Sequence, residues 1–110
     1  MLNVTFKKIE SRLEQAEGLA PENREELKRL LSTLQTEVSE LAKSHPEQSE
    51  SITGFVDVST HEATRPTQQS HLLKPALDGL SGTVVGFEEE HPQITEAINR
   101  ICVLLSNMGI

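Results

Sequence analysis

Residues 87–110 read FEEEHPQITEAINRICVLLSNMGI, and the reading of this stretch decides the fold. Ile94, Ile98, Ile101, Leu105 and Met108 recur at alternating steps of four and three, which sets them on one side of an α-helix. Pro92 suits the first turn of that helix, and the acidic run Glu88–Glu90 puts negative charge near the positive end of its dipole. The stretch predicts a helix over 92–107 with an apolar seam that needs a partner.

The segment before it predicts a helix over 70–90 with Leu73, Leu77, Leu80, Val84 and Phe87 on one side. Pro75 is awkward there, because a proline beyond the first turn deletes a backbone hydrogen bond; the helix either starts at Lys74 or bends. Gly79, Gly82 and Gly86 each lower helix propensity by about 1 kcal/mol relative to alanine, so they imply a closely packed neighbour or local weakness.

Toward the N-terminus, Thr5 is a good N-cap flanked by a Val4–Ile9 staple, and Phe6, Ile9, Leu13 and Ala16 keep the helical rhythm. These residues predict a helix over 6–17, closed by Gly18 in a left-handed conformation. Pro21 opens a longer one over 21–44, about 36 Å at 1.5 Å per residue, with the seam Leu27, Leu31, Leu34, Val38 and Leu41 and with Leu30 widening it. The short link at residues 18–20 favours an antiparallel hairpin. His45-Pro46 then forces a break, since proline pushes the preceding residue out of the α region.

Residues 47–63 are ambiguous. Ile52, Phe55, Val56 and Ala63 fit a helix face, whereas Ile52, Val56 and Val58 also alternate as in a strand, and Gly54 weakens both readings. An internal repeat favours the helix. Sliding the chain by 46 residues brings Leu27 onto Leu73, Leu31 onto Leu77, Leu34 onto Leu80, Val38 onto Val84, Leu41 onto Phe87, and His45-Pro46 onto His91-Pro92. Ile52 then meets Ile98, and Phe55 meets Ile101.

The totals agree with a small helical domain. The chain has 110 residues, only three aromatic residues (Phe6, Phe55 and Phe87) and a formal charge of −7. That charge opposes phosphate backbones, and the lysines and arginines are interspersed with glutamates at helical spacing, so nucleic acid is excluded as a partner class. No apolar run approaches a membrane span, and MLNVTFKKIESRLEQ lacks a stretch of signal-peptide length, so the expected location is the cytoplasm. Cys102, the single cysteine, has no intrachain disulfide partner and reads as a small buried hydrophobe.

Chemistry-bearing motifs are absent. No GxSxG, glycine-rich phosphate loop or triad-like grouping occurs, and Glu88–Glu90 reads as a solvated face, so no enzymatic activity and no cofactor are expected. The histidines lack metal-ligand spacing: His61 and His71 lie ten positions apart across a proline-containing loop, and His45 and His91 precede prolines. A metal site would require the repeat to bring His45 near His91 beside Glu88 or Glu90.

The tail FEEEHPQITEAINRICVLLSNMGI, with SITGFVDVSTHEATR and LEQAEGLAPENREELKRLLSTLQTEV, resembles a family of short, acidic, uncharacterised bacterial proteins carried as a domain of unknown function. The resemblance covers most of the chain, with the HP…SNMGI tail its most recognisable part. It implies a small cytoplasmic helical protein with no assigned activity and no catalytic motif to transfer.

The sequence thus predicts an all-α, four- to five-helix bundle built from helical hairpins. The expected function is that of a self-associating interaction or scaffolding module, a homodimer with a possible further protein partner. Ile98, Ile101, Leu105, Met108 and Ile110 are the candidate interface. The alternative is a histidine-dependent metal or small-ligand binding protein.

Overall fold

A computed structural model of the chain describes residues 2–108, which form α1 (Leu2–Gln15), α2 (Pro21–Leu41), α3 (Pro46–Ala63), α4 (Ser70–Gly82) and α5 (Pro92–Met108). No strand occurs among the described residues. Successive helices run in opposite directions. Asn3, at the start of α1, accepts a hydrogen bond from Gln35 late in α2 at 2.8 Å, while Arg24, early in α2, reaches the Leu13 and Ala16 carbonyls at the end of α1. Around the bundle the packing order is α1, α2, α5, α4, α3, and α3 also leans inward onto α2 and α5, so it touches all four other helices.

The radius of gyration is 13.0 Å, close to the roughly 13 Å expected of a closed globule of this length. The core joins Phe6, Ile9 and Leu13 of α1, Leu27, Leu31, Leu34 and Val38 of α2, Ile52 and Val56 of α3, Leu73 and Leu80 of α4, and Ile94, Ile98 and Ile101 of α5. The helices therefore close on one another within one chain, and the seams do not need a second copy to be covered.

The helix ends differ from the sequence expectations in instructive ways. The first helix starts at Leu2, so Thr5 lies inside it rather than capping it. Contacts along α2, with Leu2 partly buried and Asn3 held by Gln35, make the extra turn favourable. Gly18 takes the expected left-handed conformation, with φ of 78°. The second helix stops at Leu41 rather than 44, and the Leu41 carbonyl accepts bonds from Ser44 N at 3.1 Å and His45 N at 2.7 Å.

Residues 46–63 are helical, which settles the ambiguity between helix and strand. The polar residues that blurred the pattern are buried and turned into the helix itself: Thr53 Oγ1 donates to the Ser49 carbonyl and Thr60 Oγ1 to the Val56 carbonyl, both at 2.8 Å. Ser49 Oγ donates across to the Val38 carbonyl of α2 at 3.2 Å. Hydroxyls satisfied in this way can sit where only apolar residues are anticipated.

The fourth helix was expected to run from 70 to 90 and instead ends at Gly82. It begins at Ser70 and continues through Pro75, whose exposed position leaves the deleted bond to the His71 carbonyl on the solvent side. Beyond it, the Thr83 amide contacts the Gly79 and Leu80 carbonyls, and Gly86 turns the chain with φ of 89°. Gly82 and Gly86 thus mark local weakness, while Gly79 marks close approach: a β-carbon there would collide with the Phe55 ring of α3.

Candidate functional site

The repeat survives at its two junctions. His45 N donates to the Leu41 carbonyl at 2.7 Å and His91 N to the Phe87 carbonyl at 2.8 Å; Ser49 N donates to His45 O at 3.1 Å and Thr95 N to His91 O at 3.2 Å. These are the same four-residue turns, 46 positions apart. The junctions also meet. Phe87 packs against both imidazoles, edge-on to His45 at a centroid distance of 6.2 Å and tilted against His91 at 5.7 Å. Among the described residues no group of three or more His, Cys, Asp or Glu side chains could hold a metal. His61 and His71 are both exposed.

The expected interface residues fall mostly inside the protein. Ile98, Ile101 and Leu105 are buried in the chain's own core, because α5 spends its apolar seam on α2, α4 and α3. They are therefore corrected from interface to core. Met108 is partly buried against that core, and Ile110 lies outside the described residues.

Cys102 is partly buried between α4 and α5, with Ser81 Oγ at 3.5 Å and the Leu77 carbonyl at 4.0 Å. Burial pushes its thiol up, the Asp78 charge adds to the rise, and the Ser81 hydrogen bond only partly opposes it. A thiol held in its neutral form is a poor nucleophile.

Ion pairs clasp the helices. Asp57 of α3 takes Arg12 at 2.6 Å and Lys8 at 3.2 Å, both from α1, and the Asp57 carbonyl accepts a further Arg12 bond at 3.1 Å. Glu26 of α2 receives Arg100 of α5 through two bonds, at 2.8 and 3.1 Å. The Arg100 hydrogen bond holds the Glu26 carboxyl below the usual carboxylate range, and Lys28 does the same for Glu14.

Two of the open surfaces carry apolar residues from paired helices. One is an open groove of about 950 Å³ between α2 and α5, lined by Glu26, Leu30 and Thr33 on one side and by Glu96, Arg100 and Val103 on the other. The second is the outer seam of α3 and α4. Phe55 there is 39% exposed, Val58 48% and Leu72 38%. Phe55 and Val58 are one turn apart on α3, and Leu72 and Gly79 are two turns apart on the edge of α4 that Phe55 covers. Sequence reasoning placed Phe55 and Val58 on α3 but had no signal that α3 turns this edge outward.

A family model described as a domain of unknown function (DUF4404) matches residues 58–110, from the last turns of α3 through α4 and α5. The match is narrower than the resemblance read from the sequence, which took in most of the chain. No curated protein and no solved structure matches the chain. Among the described residues no helix is long and apolar enough to cross a membrane. These comparisons assign the protein no function.

Proposed function

We propose that this chain is a non-catalytic helical interaction module of the cytoplasm that pairs with a second copy of itself through the outer seam of α3 and α4. One observation carries the reading. Phe55 and Val58 of α3 are 39% and 48% exposed, whereas the residues 46 positions later, Ile101 and Leu104 of α5, are 1% and 4% exposed. In the second half neighbouring helices cover these apolar positions; in the first half they are left open, so a helix from outside completes the pattern.

Charge favours a second copy as that helix. The protein carries −7 overall, yet α4 has only Lys74 and Asp78. Along α4 that seam carries no charge of its own, since Lys74 and Asp78 stand on the α5 side of the helix, so a two-fold contact there sets no like charges of α4 against each other. Leu72, Phe55 and Val58 then lie under the contact.

Sedimentation or light scattering over a concentration series tests this. The expected result is a dimer at high micromolar concentration, strengthened by salt that screens the acidic remainder, and a monomer for Val58→Asp and Leu72→Asp variants of unchanged circular dichroism. A monomeric mass throughout, or a dimer indifferent to both substitutions, ends the proposal.

A further inference from the structure

The groove between α2 and α5 has the shape and charge of a helix-binding trough. Its walls are ridges of the two helices: Glu26, Leu30 and Thr33 succeed one another turn by turn on α2, and Pro92, Glu96, Arg100 and Val103 do so on α5. The floor is Ala97, a buried residue too small to fill the space between the ridges. From Pro92 to Val103 the α5 wall spans about 16 Å at 1.5 Å per residue, the length of three helical turns. Leu30 is partly buried and Val103 is 47% exposed, so apolar surface lies along both walls.

The charges select the occupant. Arg100, the groove's basic side chain, is already taken by both carboxylate oxygens of Glu26. Glu96 and Glu88 have no ion-pair partner among the described residues, and Glu88 only accepts the Gly86 amide. The groove therefore offers a neutralised pair joining its two walls and uncompensated acid toward the Pro92 end.

We infer that this groove receives a basic amphipathic helix of a partner protein, with its leucine-type side chains between Leu30 and Val103 over Ala97 and its lysines or arginines against Glu88 and Glu96. This is the helix-in-groove mode, read by anchors at i, i+3 or i+4, and i+7. It uses a different face from the pairing through α3 and α4 and does not depend on it.

The probe is a fluorescently labelled 14-residue peptide with leucine at alternating third and fourth positions and lysine elsewhere, titrated with the full chain and followed by anisotropy. The expected result is saturable one-to-one binding, weakened at least fivefold by Val103→Glu and by Glu96→Lys and unchanged in Val58→Asp. A scrambled peptide of the same composition, which has no apolar face, is expected to bind at least fivefold more weakly. The inference is overturned by equal binding of the scrambled peptide, by no binding at millimolar protein, or by a peptide that follows Val58→Asp instead of Val103→Glu.

Discussion

The half of the molecule made by α2 and α3 and the half made by α4 and α5 share a turn but not a fate. Both pass through the same hydrogen-bonded junction into a proline-started helix, at His45-Pro46 and at His91-Pro92. Before the junction, α2 runs unbroken to Leu41, whereas its counterpart stops at Gly82 and leaves Phe87 to pack against two histidines. After it, α3 carries buried hydroxyls and exposed apolar residues, and α5 carries a closed apolar face. Equivalent positions therefore become core or surface according to where the neighbouring helices stand.

The strongest way to break this comparison is to truncate equivalent residues. Leu104→Ala removes a buried side chain and is expected to cost about 2–5 kcal/mol. Val58→Ala, on the open edge, is expected to change the stability of the monomer by about 0.5 kcal/mol or less. Urea denaturation at low micromolar concentration measures both, and similar losses would show that the α3 edge is not a surface.

A second pair sharpens it. Ser59 occupies the position equivalent to Leu105, and its Oγ is buried with no hydrogen-bond partner among the described residues. Ser59→Ala removes an unsatisfied hydroxyl, so stability is expected to rise by about 1 kcal/mol, visible as a higher urea midpoint. A drop would mean that the hydroxyl has a partner.

Glycines give a smaller contrast. Gly54 has open space where a β-carbon would go, so Gly54→Ala is expected to stabilise α3 by about 0.5–1 kcal/mol. Gly79→Ala meets the Phe55 ring, and displacing that ring offsets the gain in helix propensity. Thermal melts of the two variants should separate, with Gly54→Ala the higher.

The smallest effect concerns Arg100, which stands where the first half has Gly54. Its partner Glu26 has a carboxyl pKa lowered in the folded state, chiefly by the Arg100 hydrogen bond. The pair's contribution is therefore present above the ordinary carboxylate pKa and is lost as pH falls through the lowered folded value. A small melting-temperature deficit of Glu26→Gln at pH 7 should disappear as the pH falls through that lowered value. Because the pair is solvent-exposed, the deficit should also shrink in high salt.

The histidines show how far the linear pattern reached into the candidate site. The paired His-Pro steps were legible, and with them the possibility that the junctions meet. What packs against the rings was not, because Phe87 was expected inside a helix and reaches both imidazoles only once Gly82 and Gly86 end α4 early. The interface expectation failed for a related reason. A seam spaced for a helix says that something covers it, and Ile98, Ile101 and Leu105 read the same whether the cover comes from a second copy or from α2 and α4.

By itself the sequence determined the all-α class, the proline breaks and the 46-residue register, though not where α4 ends, because helical periodicity, proline geometry and turn chemistry act between residues a few positions apart. The tertiary structure alone decided which apolar edges are consumed. Placing α3 against four neighbours buries Ser59 and Thr60 yet turns Phe55 and Val58 outward. That assignment depends on how far each helix is rolled about its axis. The roll is set by side-chain packing among segments distant in the chain, which no local pattern encodes.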